Sequence, residues 1–335
     1  MNYRKLFSAH KIIRDLSLVQ FIAYFGAWFS NVAIYTMLVN FGSSEMAISV
    51  VTAMHFLPAI LIAPFSGAII DRVKIKPLMI TLLATELLMT ILFLTIDNKN
   101  DLWLLMILIF VRMSAASMFF STEMSLLAKL LRGKPLQMAN EIHSIIWSFT
   151  YAAGMAVSGF VVNWYGVKTA FMIDAVIFAI ALIVFIRIDF VVKASTATDK
   201  ILQLVKDGFT YIKNDKIILH LIFLHSSVGL TSFDALITIL AKNEYKYIIS
   251  VPLAIGLSNA VRAVALMFGP LLISKYVTKE NLHYLMIFQG MAIILWGFMQ
   301  SNFYYSLLAL FFVGLSTTTL WSFTYALLQN KCEEK

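Results

Sequence analysis

Five ionisable side chains lie deep inside long apolar runs of the sequence: Glu86, Arg112, Asp174, Asp234 and Arg262. A charge at bilayer depth costs about 2.5–3.5 kcal/mol on insertion scales, so such groups pair, face water or carry protons. Glu86 stands about nine residues from one end of its run, and Arg112 about ten from the far end of the next. At 1.5 Å per residue both lie roughly 15 Å deep on antiparallel neighbours, close enough in height to pair. Three readings stand side by side: a fixed ion pair that sets helix packing, a protonatable carboxylate whose partner changes between states, and unpaired charges that face water. Asp234 and Arg262 repeat the pattern later, with Asp234 nearer the surface, so the arginine has to reach outward. Asp174 reads as structural or water-exposed.

Other chemistry is poorly supported. His220 and His225 are five positions apart and share no helix face, while His10, His55, His143 and His283 are scattered. Neither a metal site nor a bound cofactor is expected. A membrane-embedded enzyme would need His, Asp or Glu clustered with catalytic spacing, and the sequence shows no such cluster. The single cysteine, Cys332, has no partner for a disulfide within the chain.

The elements that must hold these charges follow from composition. Of 335 residues 60% are hydrophobic and 13% charged, with a mean hydropathy of +0.84. Soluble domains carry roughly 25% charged residues, so water is the wrong solvent for this surface and lipid the natural one. Runs of about 20 apolar residues, the length that crosses a bilayer, fall at roughly 18–40, 46–70, 77–96, 102–122, 142–163, 168–188, 217–240, 251–274, 281–299 and 303–328. They are too long and too uniformly apolar for barrel strands. The first run lacks a small-residue cleavage site and reads as a retained helix. Pro58, Pro64 and Pro270 should bend their helices, and Gly154, Ser158 and Gly159 should let a neighbour approach closely.

Loop charge sets the orientation. Of the 26 lysines and arginines, 20 fall in one set of alternate loops and 4 in the other, leaving Arg112 and Arg262 within spans. Both termini are therefore expected on the cytoplasmic side of a cell membrane, the bacterial cytoplasmic membrane if the source is bacterial. The net charge of +8 is a topology signal, so nucleic acid is not an expected partner. The segment 201–212 spaces Ile201, Leu202, Val205, Phe209 and Ile212 as an amphipathic interfacial helix. The expected organisation is a cytoplasmic segment 1–17, a six-helix half 18–188, a linker 189–216, a four-helix remainder 217–328 and a cytoplasmic tail 329–335.

One segment resembles a known signature. Gly67-Ala-Ile-Ile-Asp71-Arg72-Val-Lys74-Ile-Lys76 is similar to the loop motif of the major facilitator superfamily, Gly-x-x-x-Asp-Arg-x-Gly-Arg-Lys. Gly67, Asp71, Arg72 and Lys76 match; Lys74 and Ile75 depart. Ala170 to Phe178 and Ile201 to Asp215 look like the sixth and interfacial helices of the drug:proton antiporter branch that includes macrolide-efflux and enterobactin-exporter proteins. Glu86 falls where that branch often has an acidic residue. Gly154-Met-Ala-Val-Ser-Gly159 resembles its antiporter motif with Met155 and Ser158 as departures, and Ala27 replaces a frequent acidic residue.

The resemblance implies an all-α bundle of about ten membrane helices, six plus four, that exports small amphipathic compounds of drug or siderophore type by proton-coupled alternating access. Its partners are then a small-molecule substrate, protons and the lipid bilayer. Coupling or buried-charge roles are expected for Glu86, Arg112, Asp234 and Arg262, of which the resemblance adds support for Glu86. The first, fourth, seventh and tenth helices would line the cavity and offer Asn31, Arg112, Asp234, Ser316 to Thr319 and Trp321. The family has twelve spans, and its loop aspartate, matched by Asp71, faces an eleventh helix. The alternative expectation is therefore a truncated, inactive or partner-dependent remnant of such a transporter.

Overall fold

The computed structural model describes residues 3–190, 201–229 and 234–333, so residues 191–200 of the expected linker lie outside it. The described chain is helical throughout: α1 Tyr3–Ala9, α2 Lys11–Asn40, α3 Glu45–Ile70, α4 Ile75–Leu92, α5 Leu102–Leu130, α6 Gly133–Ile186, α7 Ile201–Asn214, α8 Lys216–Gly229, α9 Asp234–Asn243, α10 Val251–Ile273, α11 Leu282–Met299 and α12 Phe303–Glu333.

Helix ends follow local chemistry. Gly42 takes φ +62°, a left-handed turn that closes α2, and the Ser44 side chain then caps α3 by accepting from the Ala47 amide at 3.2 Å. Asn98 and Asp101 form a reciprocal capping box just before α5. Pro252 sits in the first turn of α10, where no amide donor is lost.

Nine helical stretches among the described residues are long and apolar enough to cross a membrane. One of them, α6, has 54 residues. As a straight rod it would be about 81 Å long, far beyond the ~30 Å hydrocarbon core. Gly166, at φ 83° and ψ 171°, breaks it, so α6 supplies two arms, 133–165 and 167–186, and the candidate crossings among the described residues number ten. No connecting loop separates those arms.

Side chains are arranged for lipid. Large apolar residues point outward, among them Phe298 at 82% exposure and Phe223 at 76%, whereas Glu86, Arg112, Glu123 and Asp174 are buried. That reverses the distribution in water and matches a bundle whose ionisable groups face one another.

The apolar core is lopsided. Call the side carrying the lysine- and arginine-rich loops the basic face. Away from it, a single core joins α2, α3, α5 and α6 to α9, α10, α11 and α12, through residues such as Phe29, Leu38, Met155, Ile237, Ile255 and Leu310. Near the basic face the core divides. One cluster (Leu16, Met79, Leu126, Phe185) belongs wholly to α1–α6, and another (Val228, Leu282, Leu285, Leu320) to the later helices. The two halves thus share one core on one side and keep separate cores on the other.

Candidate functional site

The deepest charge is a knot of three helices. Arg112 of α5 donates to Asp174 of the second arm of α6 at 3.0 Å, with the two side chains 3% and 0% exposed. Ser30 of α2 donates to the same carboxylate oxygen. Gly26, one turn earlier, makes room for this, since a Cβ there would lie 2.6 Å from Asp174 Oδ1. The Phe93 and Phe178 rings flank the guanidinium, at 5.6 and 5.1 Å from ring centroid to Cζ. Arg112 Nε and Asp174 Oδ1 have no hydrogen-bond partner among the described residues.

The Glu86–Arg112 pair that height alone allows does not form: Arg112 pairs with Asp174 instead, and Asp174, read as structural or water-exposed, is fully buried. Depth arithmetic gives height along the bundle axis, not which way a side chain faces. The gap left by Gly26 and the hydroxyl of Ser30 draw the arginine toward Asp174. Glu86 is 3% exposed and stays within electrostatic reach of both partners. No hydrogen bond or ion pair to its carboxylate occurs among the described residues.

A second polar group lies on the seam between halves. Arg262 of α10 donates to Asp234 of α9 at 3.2 Å, and both are partly buried. Tyr35 of α2 and Tyr151 of α6 are within electrostatic reach of the pair. Tyr151 Oη donates to Asn259 Oδ1 of α10 at 3.3 Å, across the seam. Asn31 is paired with His55 at 3.2 Å and is buried. Trp321 is 46% exposed and lies against the His225 ring, centroids 4.0 Å apart. Asn31 and Trp321 thus stand on different levels of the bundle, and the structure does not bring them together.

The seam closes away from the basic face. The two glycines of the antiporter-like segment face different neighbours. A Cβ on Gly154 would meet Phe25 O at 3.0 Å within the first half, whereas one on Gly159 would meet Pro252 O at 3.0 Å in the second. Gly256 answers Gly159 from α10, so two backbones touch without side chains between them. At the surface beyond, Lys242 donates to Ser43 O at 2.6 Å and Asn243 to Glu45 at 3.0 Å. These hydrogen bonds and the Tyr151–Asn259 bond tie the two halves together on this side.

The loop motif works on the basic face and within the first half. Asp71 accepts from Lys129 at 2.9 Å, and Lys76 reaches Asp189 at 3.3 Å. Arg72 Nη2 is buried without a partner among the described residues. Gly67 has open space around it.

Sequence reasoning missed Gly256, Glu123 and His143. The last two, 2% and 6% exposed, face each other at 3.7 Å. The expected spans 102–122 and 142–163 stopped one residue short of Glu123 and began one residue before His143. α5 runs on to Leu130 and α6 starts at Gly133, and those extra turns bury the pair. No group of three or more His, Cys, Asp or Glu that could hold a metal occurs among the described residues.

A bundle with ten candidate crossings among its described residues, its halves sharing a core on one side of the midplane and not on the other, with ion pairs inside each half, has the build of a polytopic membrane protein. The chain belongs to the Major Facilitator Superfamily, whose sequence profile matches residues 16–335; this is a family of transporters, not enzymes. It is 26% identical over 222 residues to a protein of Bacillus subtilis (strain 168) named "Uncharacterized MFS-type transporter YfiS". That match covers 64% of this chain and about half, 52%, of the relative. Among solved structures, the nucleoside transporter NupG superposes with a TM-score of 0.74 at 14% identity, covering 95% of this chain and 82% of NupG. A bacterial homolog of the human lysosomal transporter Spinster, inward-facing and unoccupied, superposes with a TM-score of 0.67 at 14% identity, covering 94% of this chain and 74% of that one. At such identities the likeness is one of fold.

Proposed function

We propose that this chain is a secondary active transporter that exports small amphipathic compounds, of drug or siderophore type, in exchange for protons by alternating access. The observation that carries the reading is the lopsided core, which joins the halves on one side and leaves each with its own core on the other. Rocking about that seam would open one side as it closes the other. The parted side carries the lysine- and arginine-rich set of loops, so in this reading that side is cytoplasmic and the arrangement is inward-open. Glu86 is the coupling carboxylate in this scheme: it is buried near Arg112 and Asp174 yet held by neither, so its proton can come and go as the helices shift. Asp71, Arg72 and Lys76 brace the cytoplasmic end of the first half, and Asp234–Arg262 sits at the seam that must part.

The test is transport in reconstituted vesicles under an imposed pH gradient, using a panel of dyes and antibiotics. Glu86→Gln should lower gradient-driven export while the protein stays in the membrane. Equal export by variant and parent at every pH would remove Glu86 from the coupling role; no gradient-dependent movement of any compound by the parent would count against proton-coupled export itself.

A further inference from the structure

On the basic side of the first half, away from the Arg112–Asp174 knot, side chains from three helices meet in a buried cluster. Glu123 comes from α5, His143 from α6, and Gln20 and Tyr24 from α2. At about 1.5 Å per residue, Glu123 and His143 lie roughly 10 and 15 Å in from the basic ends of their helices. Tyr24 donates to Glu123 Oε2 at 3.2 Å, and His143 Nδ1 stands 3.7 Å from that same oxygen.

Gln20 fixes the state of the ring. Its Nε2 is 3.1 Å from the His143 carbonyl oxygen and 2.7 Å from His143 Nδ1. A carbonyl oxygen can only accept, so the Gln20 atom there must be the amide nitrogen. Nδ1 then accepts as well, and the neutral ring carries its proton on Nε2. That Nε2 is buried with no hydrogen-bond partner among the described residues. The Phe120 and Tyr24 rings lie edge-on to the imidazole, centroids at 5.0 and 5.8 Å.

We infer that Glu123 and His143 form one proton-binding site, filled from the basic face, and that Gln20 holds its proton-free state. A lone buried carboxylate is costly. One proton relieves it, either on the Glu123 carboxyl or on Nδ1, which then becomes a donor toward Oε2 as Gln20 lets go. A hydronium ion gives up the proton and leaves as water, and no other bond changes. Uptake therefore redirects a contact joining α2, α5 and α6, helices that also build the welded seam. The other ionisable group facing the site is Tyr24, which lies within electrostatic reach of Glu86 on α4; the Asp71–Lys129 pair lies further along, where α3 and α5 end. The site adds a proton position separate from Glu86; its part in export rests on the transporter reading, whereas proton binding does not.

The experiment counts protons taken up by the full chain in lipid nanodiscs between about pH 8 and pH 5, where a histidine–carboxylate pair can change charge. Glu123→Gln should lose about one proton per molecule, His143→Gln should keep that proton on the remaining carboxyl but take it up at a different pH, and the double variant should lose no more than Glu123→Gln alone, because the proton belongs to the pair. No loss in Glu123→Gln, an unmoved uptake in His143→Gln, or a double-variant loss near two overturns the inference. The unmodified protein gives a readout that no misfolded variant can spoil: a pH-step infrared difference spectrum should show a buried carboxyl band and imidazole bands changing at one midpoint. Separate midpoints, or no carboxyl band, overturn it. Export is measured in parallel, and a chain that moves no compound yet shows the shared proton refutes the transporter reading and leaves the site standing.

Discussion

Replacing Gly256 with alanine pushes a methyl group into the narrowest part of the seam. A Cβ there falls 2.7 Å from Met155 O and 2.9 Å from Gly159 Cα, where ordinary contact begins near 3.4 Å. Both obstacles are backbone and neither can swing aside, so the helices must retreat by about half an ångström or more. Overpacking of this kind costs about 1–3 kcal/mol. Alanine's preference for helix over glycine is the same whether the seam is closed or parted, so it cancels. The whole cost then weighs against the closed seam, and at 1.4 kcal/mol per decade the parted population rises about 5- to 140-fold. Ser43, fully buried at the surface latch beneath Lys242, reports it. With Cys332 replaced by serine, Ser43→Cys should react slowly with a maleimide in vesicles, and Gly256→Ala should speed the reaction by that factor. Gly290→Ala is the control, since a Cβ there meets nothing within 4 Å. Equal labelling in the Gly256 variant and its parent, or equal acceleration in the Gly290 control, refutes the argument that backbone contact holds the seam shut.

Other perturbations separate buried from exposed charge. Asp174→Asn strands a buried arginine, which costs about 3–5 kcal/mol; the thermal midpoint in detergent should fall sharply, and pairing it with Arg112→Leu should recover part of the loss. No change in the single variant would mean that the pair carries no stability. Asp71→Asn removes a half-exposed contact with Lys129, worth less than about 1 kcal/mol, so the same midpoint should barely move; a large drop would show that the loop braces more than its geometry indicates. Gly26→Ala would put a methyl 2.6 Å from Asp174 Oδ1, so it should disturb the knot nearly as much as Asp174→Asn, measured by the same melt, and a stable variant would argue against the close approach of α2.

What could be read from the sequence was whatever depends on solvent and height. Apolar runs placed the crossings because lipid punishes exposed polar backbone wherever it occurs, and basic loops marked one face. Which side chains meet across helices was not legible, because that depends on rotation about each axis and on small residues that admit a neighbour. Gly26 and Ser30 turned Arg112 from Glu86 to Asp174 in this way. Span ends were misjudged for a related reason. Glu123 and Lys129 look like the exit from a membrane, yet α5 continues past them because the basic-side cluster of Leu126, Phe185 and their neighbours covers its last turns. Gly166 looked like part of a loop between two spans and proved to be the whole connection.

The lopsided core has a consequence for how the two halves depend on one another. Residues from both build the largest apolar cluster, and lipid tails, as apolar as leucine, give no reason for those faces to meet except fit. Bare glycine faces and bridging polar groups supply that fit. A gene divided between the codons for residues 190 and 201 would then yield two polypeptides that still recognise each other in the bilayer; the peptide link guarantees one copy of each and their order of synthesis, while the match between their surfaces does the assembling.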